Sequence, residues 1–182
     1  TAEMVADTIY IELESADGTR TAPAKVLAVD YEANLALVTP IELDQSTWVK
    51  KIKPLETNGP VDIDGTLDIW QLEDNGNAIR TVGTVRSVDQ LSSFIAGYYF
   101  LSYEVKGSMQ SASSSYTLPA TRDGKLVGIL TSYNSKDQMS DVLAPEIVAL
   151  FLADVADGDY VGFPSLGVAT VLTEDPQFRA YL

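Results

Sequence analysis

The sequence predicts an all-β fold with one helix near its C-terminal end. Residues 9–13 alternate apolar and polar side chains, the period of a half-buried strand. The Asp17-Gly18 pair that follows is a hairpin turn signal. Short strand-like segments separated by turn residues recur along the chain, a pattern typical of a sandwich or a barrel.

Seven segments carry this strand pattern. In chain order they are TIYIELES (8–15), APAKVLAVD (22–30), LALVT (35–39), TLDIWQL (66–72), AIRTVGTVRSVD (78–89), GYYFLSYEV (97–105) and KLVGILTSY (125–133). The stretch 53–65 is rich in Pro, Asn and Gly and is predicted to be a loop. The aromatic residues of 94–103 could form a ligand shelf, but their alternate spacing favours packing in a core.

One segment, 144–155, has the pattern of a helix. Pro145 suits a first helical turn, and the Glu146 carboxylate is favourable near a helix N-terminus. A broad apolar face follows between 147 and 152. Further on, 158–164 is typical of a linker, and 173–182 predicts a short helix capped by Thr173.

Composition limits the classes of function. The chain has 182 residues with 12 Lys+Arg against 26 Asp+Glu, a net charge of −14 that repels phosphate backbones and anionic membranes. The acids are spread along the chain, which favours solubility over preference for a basic partner. No apolar run reaches about 18 residues, so no membrane insertion is predicted. The absence of cysteine excludes disulfides and thiolate metal sites.

A serine-rich loop is the chief candidate for chemistry. The stretch SMQSASSSYTLPATRDGKLVGIL (108–130) runs through serines into an Asp-Gly turn and then an apolar strand. A serine that attacks an amide needs a base with a pKa near neutral, usually histidine, within hydrogen-bond reach. The chain contains no histidine. Serine runs more often form flexible loops than binding loops.

The chain resembles the Deg/HtrA family of trypsin-like serine proteases over nearly its whole length. The motifs are TAEMV before a strand, AKVLAVDYEANLALV, DGKLVGILTSY, SDVLAPEIVALFL and GFPSLGV followed by EDPQFRAYL. The resemblance implies a trypsin-like double antiparallel β-barrel with a C-terminal helix. Residues 1–157 would be the protease-fold domain, without its first strands, and 158–182 a linker and the start of a truncated PDZ domain. It also implies a periplasmic or other extracytoplasmic location.

Carried over residue by residue, the family's triad is degenerate here. Glu3 stands where the family has histidine, Asn34 where it has aspartate, and Ser115 at the nucleophile. If Pro119 is aligned with the motif proline instead, the nucleophile position falls on Tyr116. The cleft between the barrels would be lined by the strand 125–133 and by a loop. The loop residues are Ser113, Ser114, Ser115, Tyr116, Thr117 and Leu118.

These observations predict a catalytically inactive, Deg/HtrA-like pseudoprotease domain that acts as a scaffold, a peptide- or protein-binding module or a regulatory module, with a protein or peptide as partner and not nucleic acid. One alternative is a serine hydrolase in which Lys125 or Glu3 acts as the base for Ser115. Another is pure assembly into a homo-oligomer, since members of the family that the chain resembles commonly form trimers.

No cofactor or metal is predicted. The acids Asp62, Asp64 and Asp68 around Gly65 are reminiscent of an EF-hand loop. The sixth loop position, which needs glycine, is Leu67, and flanking helices are absent from the pattern. A solvated acidic hairpin is the favoured interpretation.

Overall fold

A computed structural model of the chain describes residues 2–6, 10–42, 47–73, 75–92, 98–109, 117–164, 167 and 176–181. The described residues form nine strands, β1 (Ile11–Glu14), β2 (Thr21–Asp30), β3 (Leu35–Pro40), β4 (Thr66–Leu72), β5 (Ala78–Ser92), β6 (Tyr99–Lys106), β7 (Leu118–Arg122), β8 (Lys125–Asn134) and β9 (Met139–Leu143). The α-helices in the described residues are α1 (Ala2–Ala6), α2 (Pro145–Asp157) and α3 (Pro176–Tyr181), with one 3₁₀ turn at Val49–Lys51.

The N-terminal half is an antiparallel sheet in the order β1-β2-β3. The predicted hairpin at Asp17-Gly18 connects β1 and β2, and Gly18 takes the left-handed φ of 67° that the turn requires. The Asp17 carboxylate accepts hydrogen bonds from the hydroxyls of Ser15 (2.6 Å) and Thr19 (2.8 Å). The predicted first barrel is thus represented, in the part that the structure describes, by three strands that form an open sheet.

The C-terminal half is a closed six-stranded antiparallel barrel in the order β4-β5-β6-β9-β8-β7. Inward-facing side chains from its strands form one core, with the largest fully buried among them Tyr103, Leu67, Ile69, Leu130, Val85, Val105, Val127 and Val142. Phe100 and Tyr103 are buried, as core packing of the aromatic segment predicts, whereas Tyr99 is exposed. The prediction of an all-β, trypsin-like barrel with a C-terminal helix is confirmed.

Helix α2 packs against both halves of the protein. It begins with Pro145, whose fixed φ suits the first helical turn, and it is followed by Gly158 at a left-handed φ of 87°. Its buried face packs into a second core shared with the turn before β3 and with β6 and β9. The buried members of this core are Ala33, Leu35, Phe100, Leu143, Val148 and Phe151.

Strands β7 and β9 and the exact helix bounds were not in the predicted set. Residues 145–157 form α2 where 144–155 was predicted, and 176–181 form α3 within the predicted 173–182. Thr173, the predicted cap, lies outside the described residues. Within the described part of the chain, no helix combines the length and the apolar character needed to span a membrane. The division at 157/158 into two domains stays a prediction.

Candidate functional site

A cavity of ≈ 280 Å³ is lined by the turn before β3 and by the closed barrel of the C-terminal half. We call it the inter-barrel cavity. Its lining comes from that turn, the end of β5, and strands β6, β8 and β9. The lining residues are Ala33, Asn34, Leu91, Ser92, Phe100, Ser102, Thr131, Ser132, Asp141 and Leu143. It therefore combines apolar side chains with several hydroxyl groups and one carboxylate.

Asn34 reaches the cavity from a tightly fixed turn. Asn34 itself has a left-handed φ of 55°, a conformation that Asn tolerates better than most residues. The turn is held by Asp30, only 4% exposed, whose carboxylate accepts the backbone N–H of Ala33 at 2.7 Å. The same carboxylate accepts a hydrogen bond from the Tyr160 hydroxyl. Partial burial, together with the hydrogen bond and the negative charge of Asp30, raises the pKa of Tyr160 above its ordinary value.

Asp141 supplies the charge of the cavity. It lies on β9 directly opposite Ser132 of β8, and the Ser132 hydroxyl donates to its Oδ2 at 2.5 Å. Thr131 donates its hydroxyl to the Asp141 backbone carbonyl at 3.3 Å. Of the described residues that line the cavity, Asp141 alone is charged. Sequence reasoning did not find Asp141, because its strand is too short to show a period and because its partners are distant in the chain.

The predicted triad positions are only partly described. Glu3 lies on α1, which contacts β2 and β3, but its side chain is outside the described atoms. Ser113, Ser114, Ser115 and Tyr116 lie outside the described residues. Asn34 is thus the one predicted triad position whose side chain the structure describes, and it lines the inter-barrel cavity.

The end of the predicted binding loop is described. Thr117 has a left-handed φ of 62°, and its backbone N–H donates to the carbonyl of Leu130 at 2.9 Å. The side chain of Leu118 is 8% exposed and packs in the barrel core. The strand expected to line the cleft, β8, contributes Thr131 and Ser132 to the cavity. A binding role for the loop itself stays a prediction.

Lys125, considered as a base, lies at the Asp-Gly turn between β7 and β8. Its ammonium group is 3.0 Å from the Glu56 carboxylate, and its side chain is 48% exposed. A lysine acts as a base only when burial or a neighbouring cation lowers its pKa. The half-exposed Lys125, with a carboxylate beside it, does not have the surroundings of such a lysine.

The acidic stretch 62–68 forms a turn and a strand. Backbone hydrogen bonds join Asp64 and Gly65 to Val85 of β5. Asp68 lies on β4, and its carboxylate is 2.8 Å from the Arg80 guanidinium. Among the described residues there is no cluster of three or more side chains of the kinds that commonly hold a metal ion.

The segment after α2 is bound to the body of the protein. The Asp154 carboxylate accepts the backbone N–H groups of Val161 (3.0 Å) and Gly162 (2.7 Å). The Phe163 ring packs edge-on against Phe100 with centroids 5.0 Å apart. A second cavity, of ≈ 310 Å³, lies between α2 and this segment.

No protein-family model matches the chain. A curated relative, "Protease Do-like 4, mitochondrial" of Arabidopsis thaliana, is 24% identical over 181 residues, which cover 98% of this chain and 34% of the relative. The chain thus spans about a third of the length of the curated relative that it matches.

Solved structures share the fold. The active form of the Rv3671c protease from M. tuberculosis superposes with a TM-score of 0.68 at 18% identity, covering 91% of this chain and 70% of that one. The HtrA-type protease AlgW with a decapeptide gives a TM-score of 0.67 at 13% identity, covering 87% and 47%. Deg5 gives 0.59 at 13% identity, covering 80% and 67%. With its closed six-stranded barrel and C-terminal helix, the chain has the trypsin-like fold of the HtrA-type proteases.

Proposed function

We propose that this chain is a trypsin-like domain that binds an extended polypeptide between its two halves without hydrolysing it. The observation that carries the proposal is the absence of histidine from the whole sequence. Serine attack on an amide requires a group that removes the hydroxyl proton near neutral pH, and later protonates the leaving amine.

The other groups of the chain are poor replacements for the missing imidazole. The amide of Asn34, at the position that the resemblance gives to the triad aspartate, carries no charge that could stabilise a protonated base. Lys125 is ion-paired with Glu56 and half exposed, unlike the buried lysines that serve as bases. Glu3 would need strong burial to become a useful base, because a carboxylate ordinarily has a pKa of about 4.3.

The size and lining of the inter-barrel cavity support binding over catalysis as the role of this site. Its volume of ≈ 280 Å³ is close to the lower end of the range of about 300–1,000 Å³ in which ligand pockets usually fall. Its lining includes both apolar side chains and groups that donate and accept hydrogen bonds. The HtrA-type protease AlgW has been solved with a decapeptide, and we carry peptides over to this chain as the ligand class. An extended peptide could also add to a strand edge through main-chain hydrogen bonds.

Catalysis is tested with a fluorophosphonate probe and with casein at neutral pH. We expect neither labelling of Ser115 nor cleavage. Stoichiometric labelling that is lost in Ser115→Ala, together with cleavage lost in the same variant, would overturn the proposal and establish a serine hydrolase with an unusual base.

Binding is tested with an array of fluorescent extended peptides on the intact chain. We expect a subset of peptides to bind, and expect Ser132→Trp, which fills the inter-barrel cavity, to abolish that binding. Ser135→Trp is the matched control, because Ser135 lies in the exposed turn between β8 and β9 and does not line the cavity. Failure of every peptide to bind, or equal loss in both variants, would contradict the proposal.

A further inference from the structure

We infer that the inter-barrel cavity selects a cationic side chain, lysine or arginine, of the bound polypeptide, and that Asp141 is the residue that recognises it. This inference rests on the proposed function and specifies its ligand class. It starts from the lining of the cavity, in which Asp141 is the one charged side chain among the described residues.

The position of Asp141 directs its side chain away from the barrel core. Its chain neighbours Ser140 and Val142 are almost completely buried, at 1% and 0% exposure, whereas Asp141 is half-buried. Side chains alternate between the two faces of a strand, so Asp141 projects from the outer face of the barrel. On this face it lines the same cavity as Ala33 and Asn34.

The Asp141 carboxylate is oriented and can accept further donors. The Ser132 hydroxyl donates to Oδ2 at 2.5 Å and thereby restricts the rotation of the group. An ionised carboxylate offers about four acceptor positions on its two oxygens. Hydrogen bonds between a carboxylate and a lysine or arginine side chain are charge-assisted and stronger than those between neutral groups.

The remaining lining suits the stem of a long basic side chain. Leu91, Phe100 and Leu143 present apolar surface, along which the methylene groups of lysine or arginine pack while the charged end reaches a polar group. The Thr131 hydroxyl also lines the cavity and donates to the Asp141 backbone carbonyl, and its oxygen can accept a further hydrogen bond. No described lining residue is a lysine or arginine that would compete for Asp141.

The charges around Asp141 are also negative. Glu104 on β6 is the cross-strand neighbour of Asp141, so both carboxylates lie on the same face of the sheet. Glu104 accepts a hydrogen bond from the Ser87 hydroxyl and does not line the cavity. With a net charge of −14 on the whole chain, an acidic ligand is repelled and a basic one attracted.

The test compares peptides that differ only in charge. Peptides selected on the array are resynthesised with arginine replaced by citrulline and lysine by norleucine, and affinities for the intact chain are measured by fluorescence polarisation. We expect the cationic peptide to bind about tenfold more tightly than its neutral counterpart. Asp141→Asn should remove this difference between the cationic and the neutral peptide.

Asp137→Asn is the matched control, because it removes one carboxylate from the same β8–β9 hairpin, in the exposed turn. It should leave the preference for the cation intact. Equal affinities for arginine and citrulline peptides would overturn the inference while leaving peptide binding established, and so would an Asp141→Asn variant that keeps the preference.

A small probe separates the inference from the proposed function. Butylguanidinium and the neutral butylurea are titrated into the isotope-labelled chain, and amide chemical shifts are followed by NMR. We expect shifts at Ser132 and Asp141 with the cation only. If only the cation causes these shifts and no peptide of the array binds, the proposed function is contradicted but a cation site is supported. Equal responses to both probes would overturn the inference.

Discussion

The hydroxyl of Tyr160 donates a hydrogen bond to the carboxylate of Asp30, which joins two residues 130 positions apart. Asp30 also accepts the backbone N–H of Ala33 at 2.7 Å and so fixes the turn that ends at Asn34. The segment after α2 is thereby connected to one wall of the inter-barrel cavity. Packing of Phe163 against Phe100, which lines the same cavity, adds a second connection.

Removal of the Tyr160 hydroxyl should destabilise the protein. In Tyr160→Phe the nearly buried Asp30 carboxylate loses a hydrogen-bond donor, and we expect the free energy of unfolding to fall by about 1 kcal/mol. Urea denaturation followed by circular dichroism measures this change. Tyr10→Phe is the matched control, because Tyr10 is 62% exposed and its hydroxyl bonds the exposed Glu12. It should leave unfolding unaltered, and equal effects of the two substitutions would show that the Tyr160–Asp30 bond contributes nothing specific.

The same bond predicts a loss of stability at alkaline pH. The pKa of Tyr160 is raised above its ordinary 10.0 by partial burial and by the hydrogen bond to Asp30, so the folded state holds the phenol proton more tightly than the unfolded chain does. The stabilisation is complete below the ordinary pKa and is lost as the pH rises through the raised one. The difference in unfolding free energy between the wild type and Tyr160→Phe should shrink as the pH rises above 10.0. A difference in unfolding free energy that grows with pH would contradict a raised pKa of Tyr160 in the folded protein.

The sequence predicts those parts of the fold that depend on local pattern. The alternating segments predict their strands because the period is visible in neighbouring residues. The Asp17-Gly18 pair predicts its hairpin because the turn depends on these two residues alone. Strand β9 (Met139–Leu143) is five residues long, and one of its buried positions, Ser140, is polar, so the alternation of burial along it is not matched by alternating apolar and polar residues in the sequence. Asp141 was missed for this reason, and the side chains that surround it come from four other places in the chain.

The candidate site could be predicted only where a family motif marks it. Asn34 was found through the resemblance of its strand to a motif, and the structure places it on the cavity. Nothing in the spacing of Asn34, Phe100 and Asp141 indicates that they share one cavity, because only closure of the barrel and docking of the N-terminal sheet bring them together.

Close contact between β8 and β9 makes Gly128 sensitive to any side chain. A Cβ atom there would lie 2.5 Å from the carbonyl oxygen of Leu143 and 2.6 Å from a methyl group of Val142. We expect Gly128→Ala to cost about 1–3 kcal/mol because the two strands must separate. Thermal denaturation measures the loss. Gly59→Ala is the control, since a Cβ at Gly59 meets nothing within 4 Å. Similar melting temperatures for the two variants would contradict the packing of β8 on β9.

The hairpin between β1 and β2 predicts an unusually acidic carboxyl group. Hydrogen bonds from the Ser15 hydroxyl, and then from the hydroxyl and backbone N–H of Thr19, lower the pKa of Asp17 from 3.8 to about 2. Because the folded pKa is the lower one, the stabilisation is present above 3.8 and is lost as the pH falls through about 2. Carboxyl chemical shifts in an NMR titration report this pKa directly.

Substitutions of the two donors test the cause of that shift. Ser15→Ala removes the largest contribution and should raise the pKa of Asp17 towards 3.8. It also removes the acceptor of the Arg20 backbone N–H, so Thr19→Val provides an independent loss of a donor that does not disturb Arg20. Thr19→Ser retains the hydroxyl and should leave the pKa low. An Asp17 carboxyl that titrates alike in the wild type, Ser15→Ala and Thr19→Val would mean that these hydroxyls do not bond it in solution.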